Sequence, residues 1–265
     1  MTKNTKELWE NLWAGDSKEL QEHKFNLKLD ENGTVWRSIR KSLDSHFKDL
    51  RKLNVVELGA GRGSISALMA PLVNKVTMID FSDAALQKSK EFYQFLGLAN
   101  IEYINADALS LPRQLCDQYD ISMSFGLAEH FADNERAAVI KSHFDMLKES
   151  GLSFISVPNR HCLPYQIWKH KRSFFNKWNF GLEIPYSRAE LKGICNEIGI
   201  TNYFFIGSSF LASFDFILPF SRWKRSLSKR LINNYFARLD KIKPQVATPL
   251  NAIWGYALVL CGVKK

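Results

Sequence analysis

Short apolar runs alternate with amphipathic stretches through the middle of the chain. Five runs of mainly aliphatic residues predict strands, at residues 55–58, 76–80, 101–108, 119–125 and 152–157. The segments between them include two with the spacing of amphipathic helices, at 84–96 and 134–148. Strands that alternate with helices in this way are typical of a doubly wound, mostly parallel α/β sheet.

The flanking regions extend this pattern. Residues 1–50 predict helices, because Leu8, Trp9, Leu12 and Trp13 recur at helical spacing. These helices either pack on the core or cap a pocket at the sheet. After the fifth strand, a helix at 187–198, a strand at 202–206 and a closing strand at 254–261 complete a seven-stranded sheet.

Two insertions interrupt the second half of the chain. The first, residues 158–185, is rich in aromatic side chains, and the second, residues 207–250, is apolar and then basic. In the second, large apolar residues repeat every fourth position and predict one amphipathic helix; they are Trp223, Leu227, Leu231, Tyr235 and Leu239. The apolar stretch 203–220 is long, but Asp215 and Pro219 argue against a membrane span.

A glycine-rich turn follows the first strand, in the arrangement Glu57-Leu-Gly59-Ala60-Gly61-Arg-Gly63. A dinucleotide-binding loop places its third glycine one residue later, where Ser64 stands here. The turn instead resembles the first motif of class I S-adenosylmethionine-dependent methyltransferases. The later strands, with their terminal acids, fit the same family in order. The resemblance covers residues 55 to about 160 and implies a Rossmann-like fold whose closing strand is antiparallel.

The resemblance implies S-adenosylmethionine as cofactor and S-adenosylhomocysteine as product. It assigns the cofactor to Glu57, Gly59, Ala60, Gly61, Gly63, Asp80, Phe81, Asp107, Ala108, Ser124 and Phe125. In the family, the acid at Asp80 binds the ribose hydroxyls, Asp107 the adenine amino group, and the Ala108 N–H a ring nitrogen. Each acid also has a plain structural interpretation, as a turn residue or near a helix cap.

The domain organisation follows from this assignment. Residues 1–50 are the helical cap, residues 51–160 the cofactor-binding core, and residues 161–265 the rest of the same domain with its insertions.

The segment after the fourth strand carries the candidate catalytic residues. His130 is the best candidate base, since an imidazole can accept a proton near neutral pH, although Glu-His here also orders the loop in the family. Glu129 orients the loop or contacts the amino group of the cofactor. Weaker candidates for acceptor binding lie in or beside the aromatic insertion: His161, Tyr165, Trp168, His170 and Tyr186. Methyl transfer requires no metal, and the sequence shows no cluster with metal-ligand spacing.

The motifs most resemble the methyltransferases of quinone and natural-product pathways. This resemblance implies a small, amphipathic or acidic acceptor, methylated on oxygen, carbon or nitrogen. A nucleic-acid methyltransferase is disfavoured, because the fourth strand continues as Ser124-Phe125-Gly-Leu without the proline-rich motif of base-modifying enzymes. A catalytically silent cofactor-binding scaffold and, more remotely, a nicotinamide-dependent enzyme remain alternatives.

The net charge of +9 is concentrated outside the predicted core. Residues 160–181 contain five basic residues and no acid, and residues 211–250 contain eight basic residues and two acids. Three roles are open for these basic side chains. They bind an anionic acceptor, they face solvent, or they attach residues 210–230 to an anionic membrane surface. Four scattered cysteines and an N-terminus without an apolar signal segment predict a cytoplasmic protein, while the oligomeric state stays open.

Overall fold

The computed structural model describes residues 5–16, 19–217 and 249–265. Three helices precede the sheet: α1 (Lys6–Ala14), α2 (Leu20–Glu31) and α3 (Thr34–His46). The Thr5 hydroxyl caps α1 by accepting a hydrogen bond from the Leu8 N–H at 3.2 Å. Helix α3 buries Trp36, Ile39 and Leu43, which share one helical face and attach it to the core.

Seven strands form one sheet in the order β3-β2-β1-β4-β5-β7-β6. They are β1 (Asn54–Leu58), β2 (Lys75–Asp80), β3 (Ile101–Asn105), β4 (Tyr119–Phe125), β5 (Leu147–Pro158), β6 (Asn202–Gly207) and β7 (Ala257–Val263). The first five are parallel, and β7 runs antiparallel between β5 and β6. The predicted doubly wound, mostly parallel sheet and its antiparallel closing strand are confirmed.

Six further helices complete the described fold. They are α4 (Ser64–Met69), α5 (Asp83–Leu96), α6 (Glu135–Asp145), α7 (Leu163–Phe174), α8 (Arg188–Glu197) and α9 (Pro249–Trp254). Short 3-10 turns occur at Leu50–Lys52, Ala70–Leu72, Arg113–Leu115, Ala128–His130 and Leu211–Phe216. Among the described residues, no helix is long and apolar enough to cross a membrane.

The core lies on both faces of the sheet. Neighbouring residues of one strand belong to different clusters: Val55 packs on the side of Trp36 and Phe92, and Val56 on the side of Ile140. This division follows from the pleat of a strand, which points successive side chains to opposite faces. Parallel strands covered on both faces explain why their sequences are continuously apolar.

Several predicted boundaries were wrong. The third strand ends at Asn105, its last residue paired with β2, and not at residue 108. The fourth helix ends at Asp145, because Leu147 already pairs with Tyr119 and begins β5, five residues before the predicted start. The closing strand starts at Ala257, since residues 249–254 form α9.

The two predicted insertions have different outcomes. The first contains α7, followed by a turn and irregular chain up to the start of α8. In the second, Leu211–Phe216 forms a 3-10 turn. The predicted amphipathic helix with Trp223 and Leu227 lies outside the described residues, as does most of the proposed membrane-contacting segment 210–230.

Gly207 at the end of β6 tests the packing of α9. A Cβ at this position would overlap the backbone of Asn251 and Ala252 in α9. Gly207→Ala is therefore expected to lower the free energy of unfolding by about 1–3 kcal/mol, measured by urea denaturation. The matched variant Gly193→Ala, on an exposed turn of α8 with nothing near its Cβ position, should gain about 0.5–1 kcal/mol. Equal stability of Gly207→Ala and the wild type would contradict the packing of α9 on β6.

Candidate functional site

A cavity of about 1100 Å³ opens at the carboxyl ends of β1, β2 and β4, beneath α1. In a doubly wound sheet, this edge is where the strand order reverses and ligands bind. The predicted residues that line it are Glu57, Gly59, Ala60, Gly61, Gly63, Asp80, Phe81, Asp107, Ala108, Phe125 and His130. Residues from separate strands and loops are therefore brought into one cavity.

The glycine loop requires glycine for two reasons. Gly59, Gly61 and Gly63 have φ values of +57°, +50° and +71°, in the left-handed region. A Cβ at these positions would also collide with Leu127, Trp13 and Met78, respectively. The sequence suggests that the missing Cβ atoms make room for a ligand, but in the structure protein side chains take that space. The loop is thus fixed by neighbours packed against its backbone.

Asp80 joins the glycine loop to the end of β2. Its Oδ2 accepts a hydrogen bond from the Gly61 N–H and its Oδ1 one from the Ser82 N–H, both at 2.9 Å. Ser82, not Asp80, is the N-cap of α5, since its hydroxyl accepts from the Ala85 N–H. Asp80 therefore lies beside the cap at the start of α5 and also holds the glycine loop. Burial raises the pKa of this carboxyl group, and the backbone N–H groups partly offset that effect.

Glu57 is fully buried beneath the loop. Its carboxyl group accepts a hydrogen bond from the hydroxyl of Ser66 on α4, so it links the end of β1 to the helix beyond the loop. Burial raises the pKa of Glu57 to about 8. The group is consequently mostly protonated at neutral pH, and it connects the two ends of the loop without placing a full charge in the core.

The turn after β3 brings Asp107 and Ala108 to the cavity. One oxygen of the Asp107 carboxylate accepts from the Leu109 N–H at 2.9 Å, and the Ala108 carbonyl accepts from Ser142 at 2.7 Å. Asp107 therefore both stabilises the turn and lines the cavity.

Helix α1 covers the cavity through contacts that the sequence did not predict. Its Trp9 and Trp13 line the cavity, and Arg62 of the glycine loop forms an ion pair with Asp16. The Glu10 carboxylate accepts from the N–H groups of Asp83 and Ala84, at 2.7 and 3.1 Å. Helical spacing indicated an amphipathic α1, but these polar partners become neighbours only in the folded chain.

His130 lies in the short turn after β4, at the cavity. Its Nδ1 is 2.7 Å from the Leu182 carbonyl oxygen, which can only accept a hydrogen bond, so Nδ1 carries the proton and Nε2 is the acceptor nitrogen. The ring meets Trp9 edge to face, with centroids 4.8 Å apart. Burial lowers the pKa of His130 to about 4, so the imidazole is neutral near pH 7.

Glu129 is buried and is not among the residues that line the cavity. Its pKa is raised to about 8 by burial, and Glu183 contributes to that increase, whereas Lys169 and Arg136 oppose it. The Glu129 carbonyl accepts from the Ile184 N–H at 2.7 Å. This backbone hydrogen bond fastens the turn to residues 182–184, and the orienting role of the Glu129 side chain stays a prediction.

Besides Glu129, six predicted residues, among them the exposed His170, do not line this cavity in the described structure. Ser124 is buried within β4. Tyr165 donates to Glu183, Trp168 packs against Tyr165 and Phe216, and Tyr186 donates to the Ala128 carbonyl at 3.1 Å. His161 is exposed. Tyr165 and Trp168 pack on each other and on Phe216 because α7 turns that face toward the protein, and Leu182 reaches the cavity instead.

No group of three or more His, Cys, Asp or Glu side chains in the described ranges is arranged to hold a metal ion. The cavity residues do fit a nucleoside cofactor: Asp80 and Asp107 offer carboxylate acceptors, and the glycine loop precedes a helix N-terminus.

Comparisons with known proteins agree with this geometry. Residues 55–151 match the family model described as a methyltransferase domain. A ubiquinone biosynthesis O-methyltransferase of Pseudomonas fluorescens is 32% identical over 111 residues, 42% of this chain and 47% of that protein. The corresponding protein of Acinetobacter baylyi is 30% identical over 123 residues, 46% of this chain and 51% of that protein. The chain thus spans about half the length of the curated relatives that it matches.

Two solved structures share the fold over almost the whole chain. One is a methyltransferase of Thermotoga maritima, described as a possible histamine N-methyltransferase, with a TM-score of 0.59 and 12% identity over 98% of this chain and 99% of that one. The other is the magnesium protoporphyrin IX methyltransferase of Synechocystis with bound S-adenosylhomocysteine, with a TM-score of 0.58 and 14% identity over 98% and 93% of the two chains.

The strand order, the antiparallel β7 and the glycine loop define a class I, Rossmann-like nucleoside-binding fold. Together with the family match over residues 55–151, they show that this part of the chain is a methyltransferase domain of the class I, S-adenosylmethionine-dependent type.

The buried Glu57 makes stability depend on pH. Its pKa is about 8 in the folded protein and near 4.5 without burial, so the folded state retains a proton that the unfolded state loses between those values. Stability from this group is therefore complete at low pH and falls as pH rises toward 8. We expect Glu57→Gln to remove up to ~1.4 kcal/mol per pH unit of this slope, measured by urea unfolding from pH 5 to 8.

Glu102→Gln is the control for this experiment. The ion pair with Lys75, 2.7 Å away, lowers the pKa of Glu102. Glu102 therefore stays ionised from pH 5 to 8, and the Glu102→Gln substitution should change the free energy of unfolding by the same amount throughout this range. An unchanged slope in Glu57→Gln would show that Glu57 is not a protonated, buried group.

Proposed function

We propose that this protein transfers a methyl group from S-adenosylmethionine to a hydroxyl oxygen of a small acceptor with an apolar body. One observation carries the proposal: the glycine loop, Asp80 and the imidazole of His130 line the same cavity, roofed by Trp9 and Trp13. Ligand pockets typically enclose about 300–1,000 Å³. A cavity of about 1100 Å³ therefore has room for a nucleoside cofactor and a second molecule beside it.

Asp80, Asp107 and the N–H of Ala108 would hold the nucleoside of the cofactor. When bound, the cofactor supplies an electrophilic methyl group on a positively charged sulfur. The protein has to align the acceptor atom and exclude water, which are the contributions expected of the aromatic roof. The carboxylates that line the cavity also suit a cationic cofactor.

The acceptor nitrogen of His130 supports methylation on oxygen. A neutral imidazole with Nδ1 held by the Leu182 carbonyl presents Nε2 as a hydrogen-bond acceptor, as a hydroxyl group requires. The curated relatives, at 32% and 30% identity, are O-methyltransferases by name. Oxygen is therefore favoured over the carbon and nitrogen acceptors that the sequence leaves open.

The charges of the cavity favour an uncharged acceptor over an acidic one. Arg62 is the one basic side chain among the described lining residues other than His130, and it pairs with Asp16. Asp30, Asp133 and Glu135 also line the cavity. A carboxylate or phosphate on the acceptor would meet like charges.

The same charges oppose a nucleic-acid acceptor, whose phosphates need basic side chains along the path to the site. The basic residues of 160–181 do not line the cavity in the described structure. Only an assay of methyl transfer distinguishes an active enzyme from a catalytically silent cofactor-binding scaffold.

Labelled methyl groups test the proposal directly. The pure protein would be incubated with methyl-labelled S-adenosylmethionine and an extract of its own host, and the label then partitioned into organic, aqueous and macromolecular fractions. We expect label in the organic fraction, in a product whose methyl group is released by ether cleavage. Label in macromolecules would transfer the assignment to RNA or protein acceptors, and no label in any fraction would support the silent scaffold.

His130→Ala tests the role of the imidazole. General acid–base groups contribute about 10²–10⁴-fold to rates. Because its lowered pKa makes this imidazole a weak proton acceptor, we expect the initial rate of label transfer to fall by the lower end of that range, about 100-fold. Calorimetry should show S-adenosylhomocysteine binding changed by less than about twofold, because the contacts assigned to the cofactor are made by other residues, Asp80, Asp107 and the N–H of Ala108.

The control is His161→Ala, whose imidazole lies outside the cavity lining and which should keep the wild-type rate. A wild-type rate in His130→Ala would refute a base at this position.

A further inference from the structure

Helix α7 turns an apolar stripe away from the protein. Leu163, Ile167 and Phe174 are 64%, 55% and 82% exposed, which is unusual for side chains of this size. At 100° per residue, positions 163, 167 and 174 lie within about 40° of arc on the helix surface. They form one strip along the whole 12-residue helix, with the exposed His170 between Ile167 and Phe174. We call it the α7 stripe.

The opposite face of α7 is firmly attached to the protein. Tyr165 and Trp168 pack against Phe216, with ring centroids 5.4 and 5.3 Å apart. Lys169 on the same face is buried and paired with Glu183. Since this face already supplies the packing that holds α7 in place, the α7 stripe is not needed for the core.

The exposed stripe continues beyond the helix. Arg172 donates two hydrogen bonds to the Lys177 carbonyl, at 3.1 and 2.7 Å, and so folds the next residues back against the end of the helix. These residues present Phe175 and Phe180, both exposed. Exposed phenylalanines that cluster at one end of a helix mark a surface that contacts another apolar phase or partner.

The charge around the α7 stripe identifies the partner. Residues 160–181 carry five basic side chains and no acid. Lys171 and Lys177 are exposed beside the stripe. An anionic surface would therefore meet no repulsive carboxylate from this segment. Apolar side chains at the centre with lysines at the margin are the pattern of helices that lie in the interface of an anionic bilayer.

From this arrangement we infer that the α7 stripe, Leu163, Ile167 and Phe174, docks the protein on an anionic lipid bilayer, with Lys171 and Lys177 at the headgroups. A nucleic acid would use the lysines but would leave Leu163 and Ile167, which cannot stack on bases, in water. The bilayer accounts for both the aliphatic and the basic side chains. This surface is distinct from the segment 210–230 that the sequence suggested for membrane contact.

The position of the surface connects it with the cavity. A groove of about 550 Å³ separates the end of the α7 region, at Asn176 and Trp178, from Leu8 and Leu12 of α1. Trp9 and Trp13 of the same helix α1 roof the cavity. A protein docked through the α7 stripe therefore places the cover of its cavity beside the lipid, where apolar acceptors concentrate. This consequence rests on the proposed function, whereas the docking itself does not.

Vesicle sedimentation tests the docking with the full chain and without any assay of activity. The probes are phosphatidylcholine vesicles with and without about one third phosphatidylglycerol. We expect binding to the anionic vesicles, weakened by added salt. The double variant I167Q/F174Q should bind them at least about tenfold more weakly. Replacing Lys171 and Lys177 by Gln should cost about fivefold per lysine.

The matched control is F25Q/L29Q on α2, whose side chains are 61% and 57% exposed and lie on a different element. It should bind vesicles like the wild type. Thermal melting with S-adenosylhomocysteine shows whether each variant is folded. Equal binding of I167Q/F174Q and the wild type, or no binding of the wild type, would overturn the inference. Binding of single-stranded RNA that is lost in the lysine variants but kept in I167Q/F174Q would assign the surface to nucleic acid instead.

Discussion

The site depends on the buried carboxylate of Asp80 and its two backbone hydrogen bonds. One oxygen holds the Gly61 N–H of the loop after β1, and the other holds the Ser82 N–H at the start of α5. Together the two hydrogen bonds join the carboxyl ends of two adjacent strands, β1 and β2. With these ends fixed, the loop can adopt left-handed backbone at three glycines and still have one defined position.

The second constraint is the placement of carboxyl groups where water cannot solvate them. Glu57 and Glu129 are both buried, and burial raises the pKa of each to about 8. As neutral groups they can be accommodated without full charge partners. Glu57 connects the two sides of the glycine loop, and Glu129 belongs to the turn that presents His130. One protonated acid thus lies beneath the glycine loop, and the other lies in the turn after β4.

Sequence alone predicted the features that are encoded locally. The glycine spacing, Glu57 and the acids at the ends of β2 and β3 are read within short windows, and the sheet order follows from the family that they resemble. The roof was not predictable in detail, because Glu10 reaches Asp83, and Asp16 reaches Arg62, only across the folded chain. The first insertion was misread for a related reason: its aromatic residues, such as Trp168, have the composition of a ligand pocket, but they pack against Phe216 and one another. Composition does not tell which face of a helix meets the protein.

The most direct test of the account is calorimetric titration of S-adenosylhomocysteine into the wild type and Asp80→Ala. If the cavity holds the cofactor as described, the wild type binds one equivalent. The variant should then lose about 1.5–3 kcal/mol of binding free energy, since a charge-assisted contact is removed and the loop loses its tie to Gly61. The same dissociation constant in both proteins, with both folded, would remove Asp80 from the site and contradict the account at its centre.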